Sequence, residues 1–159
     1  MLGANSNIKT PEAEMKELYA EIEINASPEK VWQVLTDFDH FKDWNPFIRS
    51  IQGTPQAGSK LNVQIQPPGR RPATFRPRVV KFEPQQEIRW LGHMLVPGLF
   101  DDQHTFKVEP LGSNQTRFIH REKFNGVLVP LLTRSLDGET RKGFKEMNEA
   151  LKKRAEKAS

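Results

Sequence analysis

The chain has 159 residues, of which 24 are Lys or Arg and 20 are Asp or Glu, for a formal net charge of +4. Cysteine is absent, which excludes disulfides, thiolate metal sites and thiol nucleophiles and fits a reducing cytoplasm. No apolar run approaches the ~18 residues of a membrane span, and the basic residues are interspersed with acidic ones, so a mixed solvated surface is expected instead of a nucleic-acid footprint.

A chain of this length forms one domain and can build a core without metals or crosslinks. Residues 1–16 are polar, lack the apolar core of a secretory signal, and are expected to be a flexible N-terminal segment. Thr10-Pro11-Glu12 could cap a short helix within it. Residues 17–159 are expected to be the single folded domain.

Leu18, Ala20, Ile22 and Ile24 alternate with Tyr19, Glu21 and Glu23, the period of a strand with one buried face. Ser27-Pro28-Glu29 then opens a helix, with Ser27 as N-cap and Pro28 at the first helical position. Val31, Val34, Leu35 and Phe38 form its apolar face. Asp37 can cap a second short helix carrying Phe38 and Phe41, and Asn45-Pro46 ends it. From Ile48 to Asn125 the pattern is strands and turns. Turn signals at Thr54-Pro55 to Gly58, Pro67-Pro68-Gly69, Glu83-Pro84, Pro97-Gly98 and Leu111 to Asn114 divide it into six strands. With the first strand this makes seven, antiparallel because the connections are short. A long helix follows from about Val129 to Lys157. Pro130 fits only its first turn, and Leu132, Leu136, Phe144, Met147 and Leu151 share a face. Asp137-Gly138 and Gly143 weaken its middle, so a kink is expected there.

The stretch Ala26-Ser27-Pro28-Glu29-Lys30-Val31-Trp32, followed by Leu35-Thr36-Asp37-Phe38 and Trp44-Asn45-Pro46-Phe47, resembles the SRPBCC superfamily of START-like and polyketide cyclase/dehydrase-like domains. Arg78-Val79-Val80, Trp90-Leu91-Gly92, Pro97-Gly98-Leu99-Phe100, His104-Thr105-Phe106 and Arg121 to Gly126 are similar to its bacterial members. The resemblance spans about Leu18 to Glu156. It implies an α+β helix-grip fold: a seven-stranded curved antiparallel sheet around a long C-terminal helix, with two short helices between strands 1 and 2. None of these motifs is catalytic.

Strand parity points to a site. Ile88, Trp90 and Gly92 share a face, as do His104, Phe106 and Val108, and Phe118, His120, Glu122 and Phe124. Taking the aromatic faces as inward, His104, His120 and Glu122 look into the interior. Two registers of the last hairpin satisfy this, one with His104 opposite His120 and one with His104 opposite Glu122. The cavity is expected between the inner sheet face and the long helix, lined by Trp90, Phe106, Phe118, His104 and His120. Phe75 or its neighbour Arg76 could also face inward. Trp32 and Trp44 are expected to be structural. The loops near 66–73, 93–103 and 124–129 should cluster at one end. They offer Arg70 and Arg71 together with Met94, Leu95, Val96, Leu99 and Phe100, a rim suited to a carboxylated lipid-like molecule.

The function this reading supports is binding of a small hydrophobic or lipid-like ligand, with the protein a monomer or weak dimer. The resemblance leaves two alternatives open: a cyclase/dehydrase-like enzyme using the cavity histidines and Glu122, or a protein-interaction module. No cofactor is implied. Metal binding is not expected, because His40, His93, His104 and His120 form no HExxH or other close ligand set.

Overall fold

The computed structural model describes residues 15–93 and 96–157. The flexible segment and the short helix expected near Thr10 lie outside the described residues, except that Met15 and Lys16 already belong to the first strand. That strand, β1 (Met15–Ile24), alternates as expected: Leu18 and Ile24 are buried, while Glu17, Tyr19, Glu21 and Glu23 are exposed. Helix α1 (Pro28–Thr36) starts on Ser27, whose Oγ accepts from the Lys30 N–H at 3.2 Å. Asp37 ends α1 and makes no side-chain cap for the single 3-10 turn Phe38–His40; its carboxylate pairs with His40 Nδ1 at 2.8 Å instead. Helix α2 (Phe41–Trp44) stops at Asn45, whose buried Oδ1 accepts from the N–H groups of Phe47 and Ile48.

Seven strands follow: β2 (Ile48–Gln52), β3 (Asn62–Ile65), β4 (Ala73–Phe75), β5 (Arg78–Glu83), β6 (Glu87–His93), β7 (Asp101–Gly112) and β8 (Gln115–Asn125). The α+β arrangement is the expected one, but there are eight strands where seven are expected, and they form two sheets. The larger runs β1-β8-β7-β6-β5 and the smaller β2-β3-β4, all antiparallel. Pro77 explains the extra strand. It has no N–H to give a ladder, so the stretch expected as one strand breaks into β4 and β5, one for each sheet. The Pro77 carbonyl accepts from Leu61 N–H, and a bridge between Lys60 and Arg78 joins the sheets at this point. Irregular pairing at Arg49 in β2 and Val80 in β5 adds bends that curve the whole surface.

The C-terminal helical stretch lies in the curve. Helix α3 (Val129–Ser135) has Pro130 in its first turn, and α4 (Arg141–Glu156) presents Gly143, Phe144, Met147, Asn148, Leu151 and Ala155 to the sheet. Between them, Leu136–Thr140 form a π-helical turn. The weak point expected at Asp137-Gly138 is therefore real, and it takes the form of a widened turn. Gly143 has a reason that helix propensity hides. A Cβ there would collide with the Phe47 ring, so glycine lets α4 press onto the core. Phe47 in turn meets Phe144 edge-on at 5.5 Å.

Trp32 is buried on α1 and packs against Phe82 at 5.5 Å, away from the cleft described below. Its replacement by alanine should cost ~3–5 kcal/mol of stability, the usual range for a buried Trp. Denaturant melts should show this loss while the affinity for any cleft ligand stays near parental. An unchanged midpoint with lost binding would overturn the structural role.

Candidate functional site

Parity places the inner-face residues correctly. Trp90, His104, Phe106, Phe118, His120 and Glu122 are all buried, none more than 4% exposed. Of the two hairpin registers, the observed one puts His104 opposite Glu122 and Phe106 opposite His120. His104 nonetheless touches both candidates. Its Nδ1 lies 2.6 Å from Glu122 Oε2, and its Nε2 lies 2.7 Å from His120 Nε2. His120 Nδ1 continues the chain to Asn148 Oδ1 on α4 at 3.1 Å, and its ring stacks on Phe144 at 3.7 Å.

The order of donors along this chain can be derived. An amide oxygen only accepts, so His120 Nδ1 carries a proton. Burial, together with the His104 ring beside it, holds His120 well below its ordinary pKa, so the ring is neutral and Nε2 accepts. His104 Nε2–H is then the donor. Burial also brings His104 down to about 4, so this ring too is neutral and its Nδ1 is a bare lone pair aimed at Glu122.

Glu122 is pushed up to about 8 by burial. Asp102, two residues before His104 on β7, is raised well above the carboxylate range by burial and by the charge of Glu122. One ligand atom from each of Asp102, His104 and Glu122 lies within 4.8 Å of the others. Asp102 Oδ1, His104 Nδ1 and Glu122 Oε2 are all sealed from water without an aligned hydrogen bond. Two carboxyl groups and a lone pair thus converge, and at neutral pH a carboxyl proton relieves the conflict. The result is a protonated acid held in a low-polarity wall.

That wall belongs to a cleft of about 270 Å3. Phe47, Ile65, Phe124, Leu132 and Leu136 supply its apolar lining; Asp102 and Glu122 lie on its wall. Phe100, Arg70 and Arg71 of the loops also border it, together with Phe75, which is exposed and not turned into the interior. Arg70 is 3.4 Å from Glu139 of the π-turn. The expected clustering of loops holds as well, since Leu128 N–H donates to the Leu99 carbonyl and Val127 N–H to the Gly98 carbonyl. Gly126, at φ 130°, permits this contact: a side chain there would strike the Leu99 backbone. Met94 and Leu95 lie outside the described residues.

The cleft is displaced from its expected position. Phe106, Phe118 and His120 do not line it, because α4 fills the space over them with Phe144 and Met147. His104 is not on its lining either; Glu122, which it contacts, and nearby Asp102 are. Trp90 borders a separate void of about 20 Å3 that shares Ile65, Phe75, Phe100 and Asp102 with the cleft. Sequence reasoning missed Asp102 and Asn148. Asp102 has the same strand parity as His104, and Asn148 follows Phe144 by one helical turn, so both signals were available.

A curved sheet closed by a C-terminal helix, with an apolar cleft beside buried polar groups, defines a ligand-cavity domain. The model of the family described as polyketide cyclase / dehydrase and lipid transport matches residues 15–157, and the chain belongs to that family. No curated protein matches it. Among solved structures, the Zhui aromatase/cyclase from Streptomyces sp. R1128 is similar with a TM-score of 0.74 at 14% identity, covering 90% of this chain and 94% of that one. Truncated norcoclaurine synthase from Thalictrum flavum has a TM-score of 0.72 at 16% identity over 96% of this chain and 100% of its own. A START superfamily protein from Mycobacterium smegmatis has a TM-score of 0.68 at 22% identity, over 88% of this chain and 97% of its own. These likenesses concern the fold. No helix of the described residues is long and apolar enough to cross a membrane.

The buried groups set the pH dependence of stability. His104 and His120 are neutral in the fold, so they favour it above their ordinary value of 6.5 and weaken it as pH falls towards about 4. Glu122 acts in the opposite sense. Its contribution is complete below 4.5, its ordinary value, and is lost as pH rises through about 8. The histidines of the unfolded chain go on releasing protons for about a unit above 6.5 and offset the acids there, so the melting temperature should fall from about pH 7.5 to 8.5, where the acids dominate. Thermal melts of Glu122→Gln should show a shallower fall. A parent whose melting temperature is flat or rising across this window would contradict the assignment.

Proposed function

We propose that the protein binds a small, mostly apolar molecule in the cleft between the small sheet and α3, with an acidic end of that molecule towards Arg70 and Arg71. The observation that carries this reading is a mostly apolar cleft with buried carboxyl groups on one wall and arginines at the rim. Ligand sites commonly combine an apolar lining with a few convergent polar groups. The volume of about 270 Å3 falls just below the usual range for such sites, roughly 300–1,000 Å3, and so favours a compact ligand. Burying apolar area is worth about 25 cal/mol per Å2, so a medium-chain acid or a planar aromatic acid can reach micromolar affinity after association costs. Membership of a family whose description includes lipid transport supports the same reading.

The direct test uses Trp90, which borders the adjoining void, as a fluorescent reporter. Matched carboxylic acids and alcohols would be titrated into the parent and into the double variant Arg70→Ala, Arg71→Ala. The variant should bind acids several-fold more weakly and alcohols nearly as before. Added salt should narrow the difference, because the arginines are exposed. An unchanged acid-to-alcohol ratio would reduce the arginines to surface charge. Absence of binding by the parent would remove the ligand reading itself.

A second reading is favoured by the raised pKa of Glu122 at the cleft wall. A carboxyl poised near neutral pH beside a bound carbonyl compound can exchange protons with it. The similarity to an aromatase/cyclase is consistent with such chemistry. The check is exchange of protons next to the carbonyl of a cleft-bound aryl ketone, followed by NMR in deuterated water. Glu122→Gln should slow this exchange at unchanged affinity; equal rates would exclude acid/base action by Glu122.

A further inference from the structure

The convergence of Asp102, His104 and Glu122 has a second chemical solution besides a shared proton. The set offers one imidazole nitrogen and two carboxylate oxygens within 4.8 Å of one another. All three atoms are buried and lack an aligned hydrogen bond, and His104 and Glu122 are 1% and 4% exposed. No group in the set is a donor unless a carboxyl takes up a proton. An acceptor-only cluster of this kind suits a cation, which satisfies every lone pair at once and neutralises both carboxylates.

We propose that Asp102, His104 and Glu122 form a binding site for a divalent first-row transition cation whose remaining coordination positions face the cleft.

Three features beyond proximity support this. The first is the direction of the histidine chain. Asn148 fixes His120, and His120 fixes His104 with its proton on Nε2, which leaves Nδ1 free to coordinate. A metal-bound histidine commonly has its other nitrogen held in this way, which sets both tautomer and ring orientation. The second is rigidity. His104 and Glu122 are paired across β7 and β8, and Asp102 is two residues from His104 on the same face, so three ligands come from one regular hairpin. The third is access. Asp102 and Glu122 line the cleft, whereas His104 lies behind them, so a cation held by all three meets the cleft on its open side. Three protein ligands with an open position are the pattern of sites that bind water or substrate, as opposed to closed structural sites. The mixed nitrogen and oxygen donors favour zinc, iron, cobalt or manganese over calcium or magnesium.

The site shares the cleft with the proposed ligand but does not depend on it, so the test uses ligand-free protein. Untagged, chelator-treated protein would be titrated with Co2+, followed by visible absorption and calorimetry, and then displaced with Zn2+. The expected result is one cation per chain, with a rise in melting temperature because the cation binds only the folded form. Asp102→Asn and Glu122→Gln keep side-chain shape and should each weaken binding roughly tenfold or more. Circular dichroism would verify that both variants are folded. His93→Gln serves as the control. His93 pairs with Asp101 at the surface, 2.7 Å apart, and is the competing location for a cation. It should leave the Co2+ spectrum unchanged. No binding by the parent at millimolar metal would overturn the proposal. So would affinity insensitive to Asp102→Asn and Glu122→Gln, or affinity abolished by His93→Gln. None of those outcomes would bear on the binding of an apolar acid.

Discussion

The register between β7 and β8 is the constraint on which the site depends. It pairs His104 with Glu122, Phe106 with His120 and Val108 with Phe118. A slip of one residue would turn every inward side chain outward, which the aromatic faces forbid. A slip of two would keep the faces and change the chemistry. His104 would then stand opposite His120, and Asp102 directly opposite Glu122. The two carboxyls would confront each other without an imidazole across from either. The tight turn at the end of the hairpin, with irregular pairing between Pro110 and Gly112, belongs to the observed register and to no other. A feature of the loop thus sets the chemistry of a site at the far end of both strands.

The polar chain from Asn148 to Asp102 does not owe its existence to stability. A buried polar atom without a partner costs about 1–3 kcal/mol, and apolar side chains of similar shape are often neutral or better in its place. Around it the core is already well supplied. Phe106, Phe118, Phe144 and Trp90 surround the two histidines with ring contacts, among them Trp90 to His104 at 5.2 Å and Phe106 to His120 at 4.9 Å. Each member is tied in a fixed order, and the strain of the arrangement is concentrated at one end. That end is the wall of the cleft. Unsatisfied carboxyl and imidazole atoms gathered at the wall of a ligand-sized cleft suit recognition or chemistry.

Much of this was legible in the sequence. The alternation of Leu18 to Ile24, the Ser27-Pro28 start of α1 and the inward parity of His104, His120 and Glu122 are local signals, and each is realised. What was not legible depends on distance in the chain. Choosing between registers requires the geometry of the turn, which apolar parity does not report. The position of the cleft depends on how closely α4 approaches the sheet, and that follows from Gly143 lying over Phe47, residues almost a hundred positions apart. Read alone, Gly143 signals a weakened helix. Read with Phe47, it signals a close contact. The convergence of Asp102, His104 and Glu122 was overlooked for a related reason: Asp102 and His104 are neighbours on a strand face, and Glu122 joins them only across the hairpin, so no linear motif exists to be found.

The same packing explains why the cleft opens where it does. Helix α4 is drawn down by Gly143 on Phe47 and by Phe144 on His120, which leaves no room beneath it. Beyond the π-turn, α3 contributes Leu132, and the turn itself Leu136 and Thr140, to the wall of an open space. The opposite wall includes β4, the shortest strand, whose three residues are all exposed. Lys16 to Asp137 and Arg70 to Glu139 tether the π-turn, but both are partly exposed pairs, screened by water and salt, and hold it only weakly. The cleft is therefore bounded by the elements with the least packing to hold them, while its inner wall is the rigid β7–β8 hairpin. Local opening concentrates in segments with few buried contacts. Opening at α3 and the π-turn would leave Asp102 and Glu122 on the β7–β8 hairpin in place, while releasing Arg70 from Glu139.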